Sequence, residues 1–290
     1  MTEKRLGCIL ALISGILYGL MPLVTKTIYS AGSNPYTAVF MRMVIGSVVF
    51  YTLFKVTTGK SLAVSRKELK QLIICGLGYG ITPLLLYISY TYLASGLATT
   101  LHFVYPVFVV IGSILFKTQK MTRRKLLCCF LCMCGILAFY TPGGAVSLKG
   151  IVIALSSGIV YAFYTVYLEA SDLLTMDPYK LACWKHLISV ILIGIFAGLT
   201  RNFAWPAAAG WGFMLILGLM TAASSFLYQI ATKKAGAPVT AMLSTFEPLT
   251  SVFVGYFAYG EALTLRSAAG IVFILLSVIL LSTEGMKKRG

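Results

Sequence analysis

An all-α integral membrane bundle of ten transmembrane helices, built from two inverted five-helix repeats, is the fold this sequence predicts. Three observations carry that prediction. Apolar residues make up 59% and charged residues only 11% of the 290, with a mean hydropathy of +0.90. A soluble domain has about 25% charged residues, so there is too little polar side chain here to cover one. The chain also contains ten mainly apolar runs, each about the 20 residues needed to cross a ~30 Å hydrocarbon layer. Finally, five landmarks of the first half recur in the same order in the second. A cytosolic or secreted globular enzyme is excluded.

The spans follow in order. Span one (about 7–29) comes after Lys4 and Arg5 and contains Ser14-Gly15-Ile16-Leu17-Tyr18. Its apolar run is too long for a signal peptide and lacks a small-residue cleavage site, so it is expected to be retained. Span two (35–56) opens with Pro35-Tyr36 and carries Arg42. Span three (69–91) carries Leu77-Gly78 and Tyr87, and span four (95–116) carries Phe103-Val104-Tyr105-Pro106. Span five (123–141) opens with Thr122-Arg123-Arg124 and holds Cys128, Cys129, Cys132 and Cys134. Two cysteines on one face invite a metal reading, but no histidine or carboxylate joins them, so they are read as packing residues and no metal is expected.

The second half repeats these marks. Span six (148–169) has Ser157-Gly158-Ile159-Val160-Tyr161, and span seven (179–199) follows Pro178-Tyr179 and carries Lys185, both 143 positions after their counterparts. Span eight (210–231) has Leu217-Gly218 and Tyr228, offset by 140 and 141. Span nine (237–258) has Thr245-Phe246-Glu247-Pro248 and span ten (265–283) follows Thr264-Leu265-Arg266, offset by 142. The repeats divide the chain at 1–144 and 145–290. An odd number of spans per repeat inverts the second half, and inverted repeats favour two alternative shapes with a site near the midplane at their interface.

Connections are short and hold no soluble domain. With the amino terminus inside, 18 of the 24 Lys and Arg fall on the inner side, 3 on the outer side and 3 within spans. This is the charge bias of membrane topology rather than of nucleic-acid binding. Both termini are expected in the cytoplasm of a cell whose inner (plasma) membrane holds the chain. The glycine pairs Gly15/Gly19, Gly76/Gly80 and Gly194/Gly198 read as close helix contacts. No P-loop, dinucleotide fingerprint, HExxH or nucleophile elbow is present. No cofactor and no enzymatic activity are expected.

The order of these marks resembles the drug/metabolite transporter superfamily, in its EamA type with two tandem domains, over about residues 7–140 and 148–283. The carrying residues are Ser14 to Gly19 with Lys26, Arg42, Tyr105-Pro106, Glu247-Pro248 and Gly260-Glu261. Tyr18-Gly19 stands where many relatives have Trp-Gly, which bears on the cavity lining. The resemblance implies a ten-helix carrier moving small metabolites, often amino acids, across a bacterial inner membrane.

Ionisable groups inside a membrane cost about 2.5–3.5 kcal/mol each on insertion scales and usually face a cavity or a partner. Glu247, near mid-depth and just before Pro248, reads either as a proton-carrying or amine-binding carboxylate or as a structural one locked to a buried cation or to backbone donors of a neighbouring helix. Arg42 and Lys185, seven residues after matching prolines, read as substrate-carboxylate ligands or as snorkelling side chains. Lys26, near its span end, reads as snorkelling. His102 reads as a substrate or proton ligand or as a hydrogen-bonded packing residue. His186 is expected on a different face, with Glu169 as partner. Tyr18/Tyr161 and Tyr87/Tyr228 are repeat pairs, and Tyr105 is the repeat counterpart of Glu247. Such pairs suit a cavity with apolar walls and polar tips, and interface-belt or lipid-facing packing is the alternative, so two or three of these five are expected to line the path. Together these residues predict a secondary transporter of amino acids or related metabolites, with export favoured, working as a monomer by alternating access. The alternatives are a carrier of phosphorylated sugars, nucleotide sugars or lipid-linked groups, and a non-transporting membrane sensor or enzyme.

Overall fold

Local chemistry sets where the long helices begin. Asn34 Oδ1 accepts the Thr37 N–H at 2.9 Å, and Asp177 Oδ1 accepts the Tyr179 and Lys180 N–H groups at 2.9 and 3.1 Å. The prolines that follow them, Pro35 and Pro178, sit in the first helical turn, where a missing N–H costs nothing. Ser65 and Glu68 form a reciprocal capping box at the next start. Asp177→Ala is expected to cost about 1 kcal/mol, read as a lower unfolding temperature of the detergent-solubilised chain.

The structure, a computed structural model, describes residues 3–105, 107–108, 122–139, 147–235, 243–244, 246–261 and 263–287. These form α1 (Glu3–Ser30), α2 (Pro35–Thr58), α3 (Arg66–Ser89), α4 (Ser95–His102), α5 (Arg123–Phe139), α6 (Leu148–Ala170), α7 (Pro178–Leu199), α8 (Ala208–Ala235), α9 (Phe246–Tyr259) and α10 (Leu265–Lys287). A single 3₁₀ turn, Asp172–Thr175, lies between α6 and α7, and no strand occurs among the described residues. Six helices (α1, α2, α3, α6, α7 and α8) are long and apolar enough to cross a membrane. Val48, Phe130, Phe163, Phe253 and Phe257 are exposed on the outside of the bundle, a surface suited to lipid rather than water.

The main helix contacts obey one exchange rule. Contact α1–α8 is matched by α6–α3, α1–α9 by α6–α4, and α2–α8 by α7–α3, while α2–α7, α4–α9 and α5–α10 map onto themselves. The packing therefore carries the pseudo-twofold relation that the sequence offsets predict. Gly76 meets Ile188, Gly80 meets Ser189, Gly19 meets Thr250 and Gly194 meets Phe40, each closer than a Cβ would allow. Gly198 departs from that expectation, because among the described residues only Phe203 comes near a Cβ placed there, at 4.0 Å.

Span four is not the continuous helix expected over 95–116. Helix α4 stops at His102, Phe103 and Val104 turn, and helical geometry resumes at Tyr105. Its counterpart α9 starts at Phe246 after a turn at Ser244, whose carbonyl accepts the Glu247 N–H at 2.9 Å. Pro106 and Pro248 explain both sites. A proline has no N–H for the carbonyl four residues earlier, here His102 and Ser244. Pro106 and residues 109–121 lie outside the described residues, as do 236–242 and Thr245 of span nine.

Loop contacts sort to two ends of the bundle. At one end Lys67 pairs with Asp172 at 2.6 Å, Lys180 reaches the Ala63 carbonyl, and Lys234 pairs with Glu3. The Lys67 ammonium holds the exposed Asp172 carboxyl below the usual carboxylate range. At the other end Asn34 donates to the Asn202 carbonyl, Ser33 donates to that of Ala204, and Lys26 pairs with Glu261. Lys26 is therefore not a snorkelling side chain. Glu261, brought back by the turn at Gly260, supplies a carboxylate that a reading of span one alone does not reveal.

Candidate functional site

Between the two halves lies a cavity of about 490 Å³. It is bounded by α1, α2, α3, α6, α7 and α8, and by the two broken segments after α4 and before α9. All nine residues singled out in the sequence line it: Tyr18, Arg42, Tyr87, His102, Tyr105, Tyr161, Lys185, Tyr228 and Glu247. Its lining runs to Leu168, Met176 and Pro178 near the Asp172 end, whereas Lys26, Ser95 and Glu261 do not reach it.

The two repeat-related cations are buried, Arg42 to 6% and Lys185 to 5% exposure. Arg42 donates from Nη1 to the Tyr87 hydroxyl at 2.6 Å, and Lys185 donates to the Tyr164 hydroxyl at 2.9 Å. Each also lies against an aromatic face, Arg42 over Tyr87 at 5.1 Å and Lys185 over Tyr79 at 4.6 Å. Arg42 Nε is buried without an acceptor. Snorkelling is excluded for both in this conformation, since each side chain ends inside the bundle.

Glu247 lies in the first turn of α9, with part of its surface open to the cavity. Among the described residues the salt bridges are Lys26–Glu261, Lys67–Asp172 and Lys234–Glu3, so none within 4 Å holds Glu247. The reading of Glu247 as a carboxylate locked to a buried cation therefore has no support in the geometry. His102 is positioned by a hydrogen bond between Nδ1 and Ser157 Oγ at 2.9 Å, and it still lines the cavity. The two readings of this histidine are thus compatible. Among the described residues, His186 has other partners than the expected Glu169. Its Nδ1 meets the Ala182 carbonyl at 2.8 Å and its Nε2 meets the Tyr79 hydroxyl at 3.2 Å. The Glu169 side chain lies outside the described residues.

The tyrosines are held in place. Tyr18 bonds to Ser225 Oγ at 3.0 Å, Tyr90 bonds to Thr99 at 3.1 Å, and Tyr105 meets Tyr161 edge-on at 4.6 Å between centroids. Tyr79, Tyr90, Tyr164, Ser225 and Ser244 are lining residues that the sequence reading missed. Two signals were available for them. Residues 79, 82, 83, 86, 87 and 90 of α3 fall on one helical face, so extending the period from Tyr87 finds Tyr79 and Tyr90. Register also pairs Ser244 with His102, offset 142, and Tyr164 with Met21, offset 143, and all four line the cavity.

A polar-tipped cavity between matched halves of a lipid-surfaced bundle, beside two interrupted helices, is the architecture of a membrane transporter. The sequence profile of the EamA-like transporter family matches residues 5–141 and 148–283. The chain belongs to that family. It is similar to an uncharacterized transporter of Synechocystis, with 27% identity over 76% of this chain and 69% of that one. It also resembles the uncharacterized inner membrane transporter YicL of Salmonella typhimurium, at 23% identity over 99% of both chains. A crystal structure at 14% identity superposes with a TM-score of 0.69 over 97% of this chain and 98% of that one, showing a shared fold.

Proposed function

We propose that this chain is a secondary transporter of small acid-bearing metabolites, amino acids or their relatives, working by alternating access between its two halves. The observation that carries the reading is the convergence of Arg42, Lys185 and Glu247 on one cavity at the repeat interface. Arg42 and Lys185 offer donors to a substrate carboxylate, and Glu247 offers an acceptor to an amine or a proton. The Lys and Arg bias puts both termini in the cytoplasm of an inner membrane, so the cavity extends toward the cytoplasm, the side from which an exporter loads. A single chain supplies the whole cavity, which supports a functional monomer. The presence of both cations also favours a second reading, an anion carrier for phosphorylated sugars, nucleotide sugars or lipid-linked groups.

The test is release of a mixed amino-acid load from proteoliposomes, with and without an inward proton gradient. One pH unit stores about 1.4 kcal/mol per proton, enough for about a tenfold substrate gradient in one-for-one exchange. The wild type is expected to develop that gradient, and Glu247→Gln to equilibrate the same substrates without exceeding unity. Gradient-insensitive release by the wild type would make the chain a facilitator and leave Glu247 a binding role only. If folded protein releases no amino acid at all, the amino-acid reading falls and phosphorylated sugars are the next load.

A further inference from the structure

The charges of the cavity do not balance. Arg42 and Lys185 are each at least 94% buried, yet no carboxylate pairs with either among the described residues. Their partners are tyrosine hydroxyls and aromatic faces, which are weak substitutes for a counter-ion, and Arg42 Nε has no acceptor. Removing a cation from water costs several kcal/mol unless an anion meets it. The partly buried Lys26 of this same chain does find one, Glu261. The cavity thus holds two buried positive charges and, with Glu247 ionised, one negative charge. A neutral zwitterion with one carboxylate and one ammonium satisfies Glu247 and a single cation, leaving the other cation buried and bare. A substrate that meets all three side chains needs two acid groups and one amine.

Resting on the transport reading above, we infer that the preferred substrate is a zwitterionic metabolite with a second acid group, and hence a net negative charge. Arg42 and Lys185 each take one acid group, and Glu247 takes the ammonium. The tyrosines between them, Tyr79 and Tyr87, contribute hydroxyls and ring faces without changing the charge count. The second acid group can be a carboxylate or a phosphate monoester, since both accept hydrogen bonds from guanidinium and ammonium.

Competition in proteoliposomes holding the full chain tests this, using pairs that differ only in the second acid group. L-glutamate against L-glutamine probes a carboxylate, and phospho-L-serine against L-serine probes a phosphate. The acidic member of at least one pair is expected to compete at least tenfold better, and the pair that discriminates identifies the acid type. Glutarate, which lacks the amine, should compete at least tenfold worse than glutamate if the carboxylate pair is the one that discriminates. In Lys185→Met the charge preference should shrink about tenfold while the neutral member gains. Equal competition within both pairs, alongside amino-acid release, would overturn the charge assignment and leave the transport reading standing. Absence of release of every load by protein that elutes as a single folded species would overturn both. Should Lys185→Met fail to fold, the wild-type pairs decide the matter alone.

Discussion

Replacing Glu261 by glutamine is expected to loosen the end of the bundle opposite the Asp172 turn and shift the cavity's access toward that end. Glu261 is the most heavily bonded carboxylate among the described residues. It pairs with Lys26, and both oxygens accept from the Ser95 N–H, at 2.9 and 3.0 Å, and from Ser95 Oγ, at 3.0 and 3.1 Å. Ser95 is the first residue of α4, where free N–H groups and the helix dipole favour a negative charge. One side chain thus fastens the α9–α10 connection to both α1 and α4, tying the second half to the first. Tyr259 reinforces the same seam by donating to the Leu23 carbonyl at 2.6 Å. Lys26 and Glu261 side chains are 20% and 13% exposed, so breaking the pair should cost less than a fully buried bridge, about 2 kcal/mol. On the alternating-access reading proposed above, that corresponds to a population shift on the order of 30-fold between the two access states. A cysteine at Ser225, on the cavity wall, reports the shift through labelling by a membrane-impermeant maleimide. Relative to Ser225→Cys alone, adding Glu261→Gln should raise labelling from the Glu261 side. An unchanged labelling ratio would show that this seam does not govern access.

Much of the fold was legible because membrane helices obey few rules. Length, apolar composition and the offset of about 142 residues identify which helix matches which, and the contacts follow the same exchange. Span ends were less legible. Lys26 shows why: its partner Glu261 lies 235 positions away, across a turn that no periodicity reports. The interruption of span four was implicit in Pro106 and that of span nine in Pro248, yet where the helix stops depends on packing against α6 and α1. For the site, the ionisable residues declared themselves, since each carries a membrane cost that demands a reason. The tyrosines and serines do not carry such a cost. Tyr164 and Tyr167 stand on the same helix, and only the phase relative to Tyr161 puts the first on the cavity wall and leaves the second off it.

The two halves exchange their helix contacts but are not equally close at every crossing, and the glycines Gly15 and Gly158 make that difference measurable. Both sit at the same register position, each where a helix crosses the broken helix of its own repeat exchange. A Cβ on Gly158 would come within 2.8 Å of the His102 carbonyl oxygen, with His102 C and Tyr105 N at 3.6 Å. These are backbone atoms and cannot rotate away as a side chain would. Among the described residues, a Cβ on Gly15 would meet nothing nearer than the Leu243 carbonyl at 3.4 Å, an ordinary contact. Gly158→Ala is therefore expected to push α6 from α4 and cost roughly 2–3 kcal/mol by overpacking, moving His102 and Tyr105 at the cavity wall as it does. Gly15→Ala should be neutral or slightly stabilising, because alanine favours a helix over glycine by up to about 1 kcal/mol. Unfolding temperatures of the two single variants in one detergent decide the comparison. A fall for Gly158→Ala alone fits halves that differ at this one register position, tight at Gly158 and roomier at Gly15, while Gly19 still holds α1 close against Thr250 and the Glu247 carbonyl of α9. On the alternating-access reading proposed above, the two positions exchange roles in the opposite state, so a Gly158→Ala chain that still folds should favour that state. Equal destabilisation by both alanines would mean that the halves pack alike, and that the asymmetry needed for alternation does not lie at these crossings.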